Sequence, residues 1–414
     1  MTKELRPKLR YGLEALPVQH SGEKMFVLRD RIGFSSESLV FSPAAIHILA
    51  NMNGRNSLRD LQADFMKKSG QSIQTQDLQE LVNTLDEHLF LDSDRFRRVA
   101  EKEISDFVGN PVRDMQHAGS SYPEDAEKLR EKLRSFFSPQ NGGPGYPAAS
   151  GGRSGKVAGL VAPHIDLNAG GGCFAHAYKA AAQSLVPDTW IVLGTGHEPM
   201  ENCFALTVKD FQTPLGTVKC DKKICEELLR RTPFDLLANQ YNHRREHTIE
   251  FQAVFLSFLQ PGARIVPLLC SFGEEEWSAR GKMVDDFARL LAEIVFENNS
   301  HSAGLIASVD FAHVGPRYGD RFRPQPKAIE ENLWQDTSLL KLLEQCRAQD
   351  FLDIINRDQN SRNICGVAPL YTMAKAFEGR AEGKTLSQSH AVVDDQGSFV
   401  TFASMAFYAE TVGN

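Results

Sequence analysis

The stretch TWIVLGTGHE, Thr189 to Glu198, decides how the chain should be read. Its first residues are almost unbroken in apolar character, rich in β-formers, and too few for an ordinary helix. Such a run reads as a strand buried on both faces. Four more segments share that character: VAGLVAP (157–163), ARIVPLLCSF (263–272), SAGLIASVD (302–310) and SFVTFASMAFYAE (398–410). Between them lie helical patterns: CFAHAYKAAAQSL (173–185), DKKICEELLRR (221–231), TIEFQAVFLSFL (248–259), EEWSARGKMVDDFARLLAEIVFEN (275–298) and VAPLYTMAKAFEG (367–379). Continuous apolar strands alternating with helices predict an α/β fold with a mostly parallel sheet flanked by helices.

In open α/β sheets, ligands bind beyond the carboxyl ends of the strands. Those positions carry unusual residues here. GLVAP is followed by His164 and Asp166, WIVLGTG by His197 and Glu198, and LIASVD ends at Asp310 with His313 three residues on. His247 stands where the helix TIEFQAVFLSFL begins. A lone histidine reads as structural, but the chain has only 12 and they recur at three strand ends. Neutral imidazoles are common ligands of iron, copper, nickel and zinc, and two of them need an anionic partner to hold a divalent ion in an open site. Asp166, Glu198, Asp310 or a thiolate can serve. Of the seven cysteines, Cys365 has a distinctive setting, because NICG (363–366) reads as a loop opening into a helix. A thiol there is expected to ionise more readily, which suits a metal ligand or nucleophile, with a buried inert thiol as the equal alternative.

The length of 414 residues favours a large domain plus a smaller one. Hydrophobic residues at 42% and charged residues at 24% are ordinary for a globular chain. A net charge of -7 with dispersed Lys and Arg supplies no basic stripe for nucleic acid. No stretch has the apolar length of a membrane span, the first residues lack the apolar core of a secretion signal, and the odd, scattered cysteines form no CxxC pair. These features predict a cytoplasmic protein. GGG at 170–172 lacks the spacing of a phosphate loop and reads as a tight turn before a helix. HRREH (243–247) lacks the metalloprotease spacing, and His243 reads as a surface residue. Ser138 to Lys156, rich in Gly, Pro and Ser, reads as a mobile loop. Asp166 reads first as a helix cap or solvent-facing residue, second as an extra carboxylate near a metal.

Residues 1–105 read as a strand pair followed by helices, KMFVLRDRI, SPAAIHILANM, SLRDLQADFMKKSG and TQDLQELVNTLDEHLFLD, with Ser42 and Thr75 as N-cap types. This order is similar to the PqqD-like winged-helix domains that bind peptides or partner proteins beside radical enzymes. A helical cap with no binding role is the plain alternative.

Residues 112–414 resemble the Memo family. HAGSSYP (117–123), VAPHIDLNAGGGCFAHAYKA (161–180), VLGTGHEP (192–199), QTPLG (212–216), EHTIEFQ (246–252), SVDFAHVGPRY (308–318), ICGVAPL (364–370) and FASMAFY (402–408) occur in the order and spacing of that family. Its bacterial members are called AmmeMemoRadiSam system protein B. The resemblance implies a fold similar to class III extradiol dioxygenases, whose iron is held by two histidines and a carboxylate, with cysteine in the carboxylate's place. It implies metal ligands His164, His197 and Cys365, with His313, Asp310 and His247 lining the pocket as candidate catalytic residues. PHIDL (163–167) replaces the PHAGY common in relatives, which changes the surroundings of the first ligand.

The expected function is a metal-dependent, dioxygenase-like oxidoreductase acting on a small-molecule or peptide substrate. Iron (Fe2+) is favoured, copper competes, and zinc turns the reading toward hydrolysis. The alternative is a non-catalytic peptide- or protein-binding module, or a subunit, working with a radical SAM protein partner.

Overall fold

The computed structural model describes residues 4–20, 23–147, 156–297 and 302–409. The chain divides into two compact units, Met1–Gly109 and Asn110–Asn414.

In the first unit, β1 (Leu13–His20), β2 (Glu23–Asp30) and β3 (Ser38–Phe41) form an antiparallel sheet. The helices α1 (Pro43–Ala50), α2 (Leu58–Ser69), α3 (Thr75–Glu87) and α4 (Asp94–Gly109) follow. Ser42 caps α1 by accepting from the Ala45 N–H. Thr75 does not cap α3. It is the first helical residue, and the cap position falls to Gln74, whose N–H donates to Asp77. Leu78, Val82 and Leu85 of α3 close the core against Leu28, Ile48 and Leu61. Arg10 and Asp30 form a buried ion pair at 2.6 Å.

The second unit begins with β4 (Val112–Arg113) and α5 (Ala126–Ser135). Of the glycine-rich stretch 138–156, Pro139–Asn141 form a single 3-10 turn, and 148–155 fall outside the described residues. Next come β5 (Val157–Ala162), α6 (Leu167–Ala182), β6 (Thr189–Thr195), β7 (Phe204–Leu206), β8 (Asp210–Thr213), β9 (Gly216–Cys220) and α7 (Lys222–Arg231). These lead to α8 (His247–Leu259), β10 (Arg264–Cys270), α9 (Glu274–Phe296), β11 (Ala303–Ser308) and β12 (His313–Val314). The remainder is α10 (Pro326–Glu344), α11 (Ala348–Arg357), α12 (Val367–Phe377), β13 (Ala381–Val392) and β14 (Phe399–Ala409).

All the strands from β4 on join one sheet of 11 strands, ordered β12-β14-β5-β11-β6-β10-β9-β8-β4, with β13 on β14 and β7 on β10. The sheet is mixed, not mostly parallel. β5, β11, β6 and β10 run parallel, whereas β14, β13, β12, β8 and β7 pair antiparallel. Alternate residues of the parallel strands enter two different cores: Ile191 and Leu193 pack toward α9 and α12, Trp190 and Val192 toward α6 and α8. Both faces are dry, so burial follows no visible period in these strands.

The three glycines 170–172 lie inside α6, not in a turn ahead of it. A Cβ at Gly171 would sit 2.2 Å from the Phe136 ring, and one at Gly172 would sit 2.5 Å from the Asn141 carbonyl. They let α5 and its following turn press against the helix backbone. None of the described helices is long and apolar enough to cross a membrane.

Candidate metal centre

The strands β5, β11 and β6 lie side by side, with Ser308 opposite both Ala162 and Gly194. Their carboxyl ends are therefore level, and the residues just beyond them meet at one edge of the sheet. His164, Asp310 and His197 come from these three ends. Cys365 arrives from the opposite chain direction, in the loop before α12. That loop is tied to its neighbour by the His313 N–H donating to Arg362 O at 2.8 Å and by Asn363 Nδ2 donating to His313 O at 3.2 Å.

One ligand atom each from His164, His197 and Cys365 lies within 4.8 Å of the others. His164 Nε2 and Cys365 Sγ are 3.2 Å apart. Two ligands of one tetrahedral ion at ordinary metal–nitrogen and metal–sulfur lengths stand about 3.5 Å apart. The ring orientations also fit. His164 Nδ1 donates to the Ser308 carbonyl at 2.9 Å, and His197 Nδ1 donates to Glu246 Oε2 at 3.0 Å. Carbonyl and carboxylate oxygens only accept, so each Nδ1 carries a proton and each Nε2 is the nitrogen turned toward a cation, with His197 giving up its second proton when one binds. A donor set of two oriented imidazoles and a thiol suits a transition metal.

Glu246 is the residue that sequence reasoning missed. It caps α8, accepting from the Thr248 N–H at 3.2 Å. The same carboxylate takes the His197 N–H at 3.1 Å and lies 3.1 Å from His247 Nδ1. Gly194 permits this closeness, because a Cβ there would meet Thr248 Oγ1 at 2.6 Å. Glu246, His197 and His247 form a second group with ligand-like spacing. Its carboxylate already receives four N–H donors, about as many as its lone pairs allow. It therefore reads as the orienting partner of His197, not as a ligand of a separate ion. Its sequence signals were its position two residues ahead of the predicted helix 248–259 and its place at the head of EHTIEFQ.

Electrostatics follow from burial. Burial holds His164 well below the usual imidazole range. Burial would lower His197 too, but the Glu246 charge and a hydrogen bond to Cys365 outweigh it and hold that ring well above the usual value. Burial works to raise Glu246, and the two imidazoles beside it hold it well below the carboxylate range. Burial pushes the Cys365 thiol up, against the opposing effect of His197. The easy ionisation expected from its place before a helix is thus overturned in the metal-free protein.

Asp310 lies against His164: its Oδ1 accepts the His164 N–H at 3.0 Å and its Oδ2 is 3.6 Å from His164 Nε2. Burial raises its carboxyl to about 6. His247 stacks on His197 with ring centroids 5.2 Å apart and meets His164 edge-on at 5.3 Å. His313 makes its ring contact with Tyr318 at 4.9 Å, and burial lowers it to about 4. Asp166 caps α6, accepting from the Asn168 N–H at 2.8 Å. His243, read as a surface residue, is buried with Nε2 2.9 Å from Ala205 O. The misreading came from its lying outside the EHTIEFQ motif that His247 belongs to, and Arg245, two residues on, is exposed while His243 is not.

A family model described as Memo-like protein matches residues 113–406. The chain belongs to the Memo family. A MEMO1 family protein of Aquifex aeolicus is 28% identical over 408 residues, covering 98% of this chain and all of that protein. A MEMO1 family protein of Pyrococcus abyssi is 32% identical over 300 residues, covering 70% of this chain and 96% of its own. The Protein memo-1 homolog of Caenorhabditis elegans is 28% identical over 277 residues, covering 65% and 72%. The Aquifex match must extend well ahead of the Memo-like region, because 98% coverage leaves no room to omit the first unit.

Within this Memo chain, a buried ion pair supports the centre from below. Arg113 Nη1 bonds Glu250 Oε2 at 2.5 Å, and its Nε and Nη2 donate to the carbonyls of His243 and Glu246 at 2.7 and 2.9 Å. Glu250 also accepts from Tyr122 Oη and from the His117 N–H at 2.9 Å. His117 meets His247 edge-on at 5.7 Å. HAGSSYP is thereby fastened to the start of α8.

Proposed function

We propose that this Memo-family protein is a metal-dependent oxidoreductase whose iron(II) is held by His164, His197 and Cys365, with copper the competing metal. The observation that carries this reading is the paired orientation of the two imidazoles, each with Nδ1 tied back and Nε2 available beside Cys365 Sγ. Bound there, the ion supplies reversible electron transfer and Lewis acidity toward a small organic or peptide substrate. Glu246 fixes the ring of His197 and raises its basicity as a ligand. Asp310 fixes the backbone of His164. His313, kept neutral near pH 7 by burial and with Nδ1 on the Phe311 carbonyl, offers Nε2 as a hydrogen-bond acceptor and weak base toward the substrate. His247 is held in place by Glu246 for the same kind of work.

The likeness to class III extradiol dioxygenases belongs to this proposal, supported by a parallel strand core with histidines beyond its carboxyl ends. We assign the first unit a PqqD-like winged-helix role in recruiting a partner, with a radical SAM protein as the candidate; its three-stranded sheet and four following helices support that reading. Removing residues 1–109 should leave metal content unchanged and weaken co-purification of such a partner. Equal pull-down by the truncated chain contradicts the recruiting role.

Elemental analysis and anaerobic spectroscopy of protein purified without chelator test the main reading. Stoichiometric iron or copper that vanishes in His197→Ala supports it. Metal-free protein that takes up neither ion tightly overturns it.

A further inference from the structure

On the flank formed by α7 and α9 lies a cleft of about 660 Å3 that shares no residue with the metal centre. Small-molecule sites commonly run from about 300 to 1,000 Å3. Its floor is aromatic and fixed: Phe287 is buried, stacks on Phe204 at 4.2 Å and leans on Phe234 at 6.0 Å. Met283, half-buried, lines the same wall and adds an adaptable apolar surface.

The rim has the opposite character. It carries Arg231, Arg280, Lys282 and Arg289 against only Asp286 and Glu293, so four positive charges face two negative ones. Asp286 already accepts from both Lys282 and Arg289, and Arg231 pairs with Glu293 on one side and with Glu227, beyond the rim, on the other. Arg280 gives one hydrogen bond to a neutral acceptor, the Glu201 carbonyl, at 2.6 Å. Each acid is thus already paired, and one positive charge remains in excess over an apolar floor. A purely polar anion leaves that floor wet, and a purely apolar molecule leaves Arg280 without a counter-charge.

We propose that this cleft is a binding site for a small organic anion with an aromatic or branched apolar body. The ring or chain lies on Phe234 and Phe287, and the anionic end meets Arg280 and Arg289. Arg280 also holds the loop that follows His197, through Glu201, so an occupant draws on a group already attached to that loop.

The test compares anilinonaphthalene sulfonate with its neutral parent, phenylnaphthylamine, by fluorescence titration of the full chain at low salt. One saturable site is expected, binding the sulfonate about tenfold tighter or more, the worth of one charge-assisted hydrogen bond. Arg280→Ala with Arg289→Ala should remove that advantage and leave the neutral probe unaffected; both side chains are exposed, so the fold persists. Met283→Trp, which fills the cleft, should abolish binding of both probes. His197→Ala should change neither, whatever the fate of the metal assignment. Equal affinity for the two probes, a double arginine variant that binds the sulfonate as wild type does, retained binding in Met283→Trp, or loss of binding in His197→Ala each overturns the proposal.

Discussion

The Glu246 carboxylate accepts from both the backbone N–H and the Nδ1 of His197, at 3.1 and 3.0 Å. One side chain therefore sets the position and the tautomer of a proposed ligand. Partners of this kind are typically worth about 10- to 100-fold in metal affinity. Glu246→Gln keeps the size while removing the charge and one of the two acceptor oxygens, so metal affinity should fall by roughly that factor. Competition against a chelator of known affinity measures it.

Arg113 and Glu250 are both fully buried. Removing one partner strands the other charge in an apolar interior, at a cost of about 3–5 kcal/mol. Arg113→Met should therefore unfold at markedly lower urea concentration than wild type. Arg113→Met combined with Glu250→Gln should recover part of the loss. If the single and double variants are equally unstable, the two charges are not the coupled pair described.

His243 gives a pH dependence with a definite sign. Burial lowers its pKa from 6.5 to about 4 in the folded chain. Between those values the unfolded chain binds the proton and the folded chain does not. Stability from this group is complete above pH 6.5 and is lost as the pH falls toward 4. The loss is on the order of 3 kcal/mol. His243→Asn should flatten the fall in unfolding free energy across that window relative to wild type.

Gly171 lies in the middle of α6, where alanine is ordinarily the better helix former by about 1 kcal/mol. Here the Phe136 ring occupies the space a methyl group needs. Gly171→Ala should destabilise by about 1–3 kcal/mol in spite of propensity. A rise in melting temperature would show that the ring yields easily.

Much of this architecture was legible because the central strands are dry on both faces. Runs such as WIVLGT need no period to announce a strand, and the histidines just beyond them fell at level strand ends. The outer strands gave weaker signals. KTLSQSHAV in β13 is half-exposed and polar, and β7, β8 and β9 are three to five residues long, so pairing with neighbours decides their state more than local preference does. Those strands turn a parallel expectation into a mixed sheet. At the site, His164 and His197 were readable from their recurrence at strand ends, whereas Glu246 and Arg113 act through contacts across more than 45 residues of chain, which no local pattern records. The glycines of α6 were misread for the same reason: what they accommodate is Phe136, a residue of another element.

X-ray absorption at the metal edge of the iron- or copper-loaded protein tests the central assignment most directly. The account predicts a shell containing one sulfur and at least two imidazole nitrogens, with the sulfur lost in Cys365→Ser and one imidazole lost in His197→Ala. A shell of nitrogen and oxygen alone in the wild-type protein contradicts it.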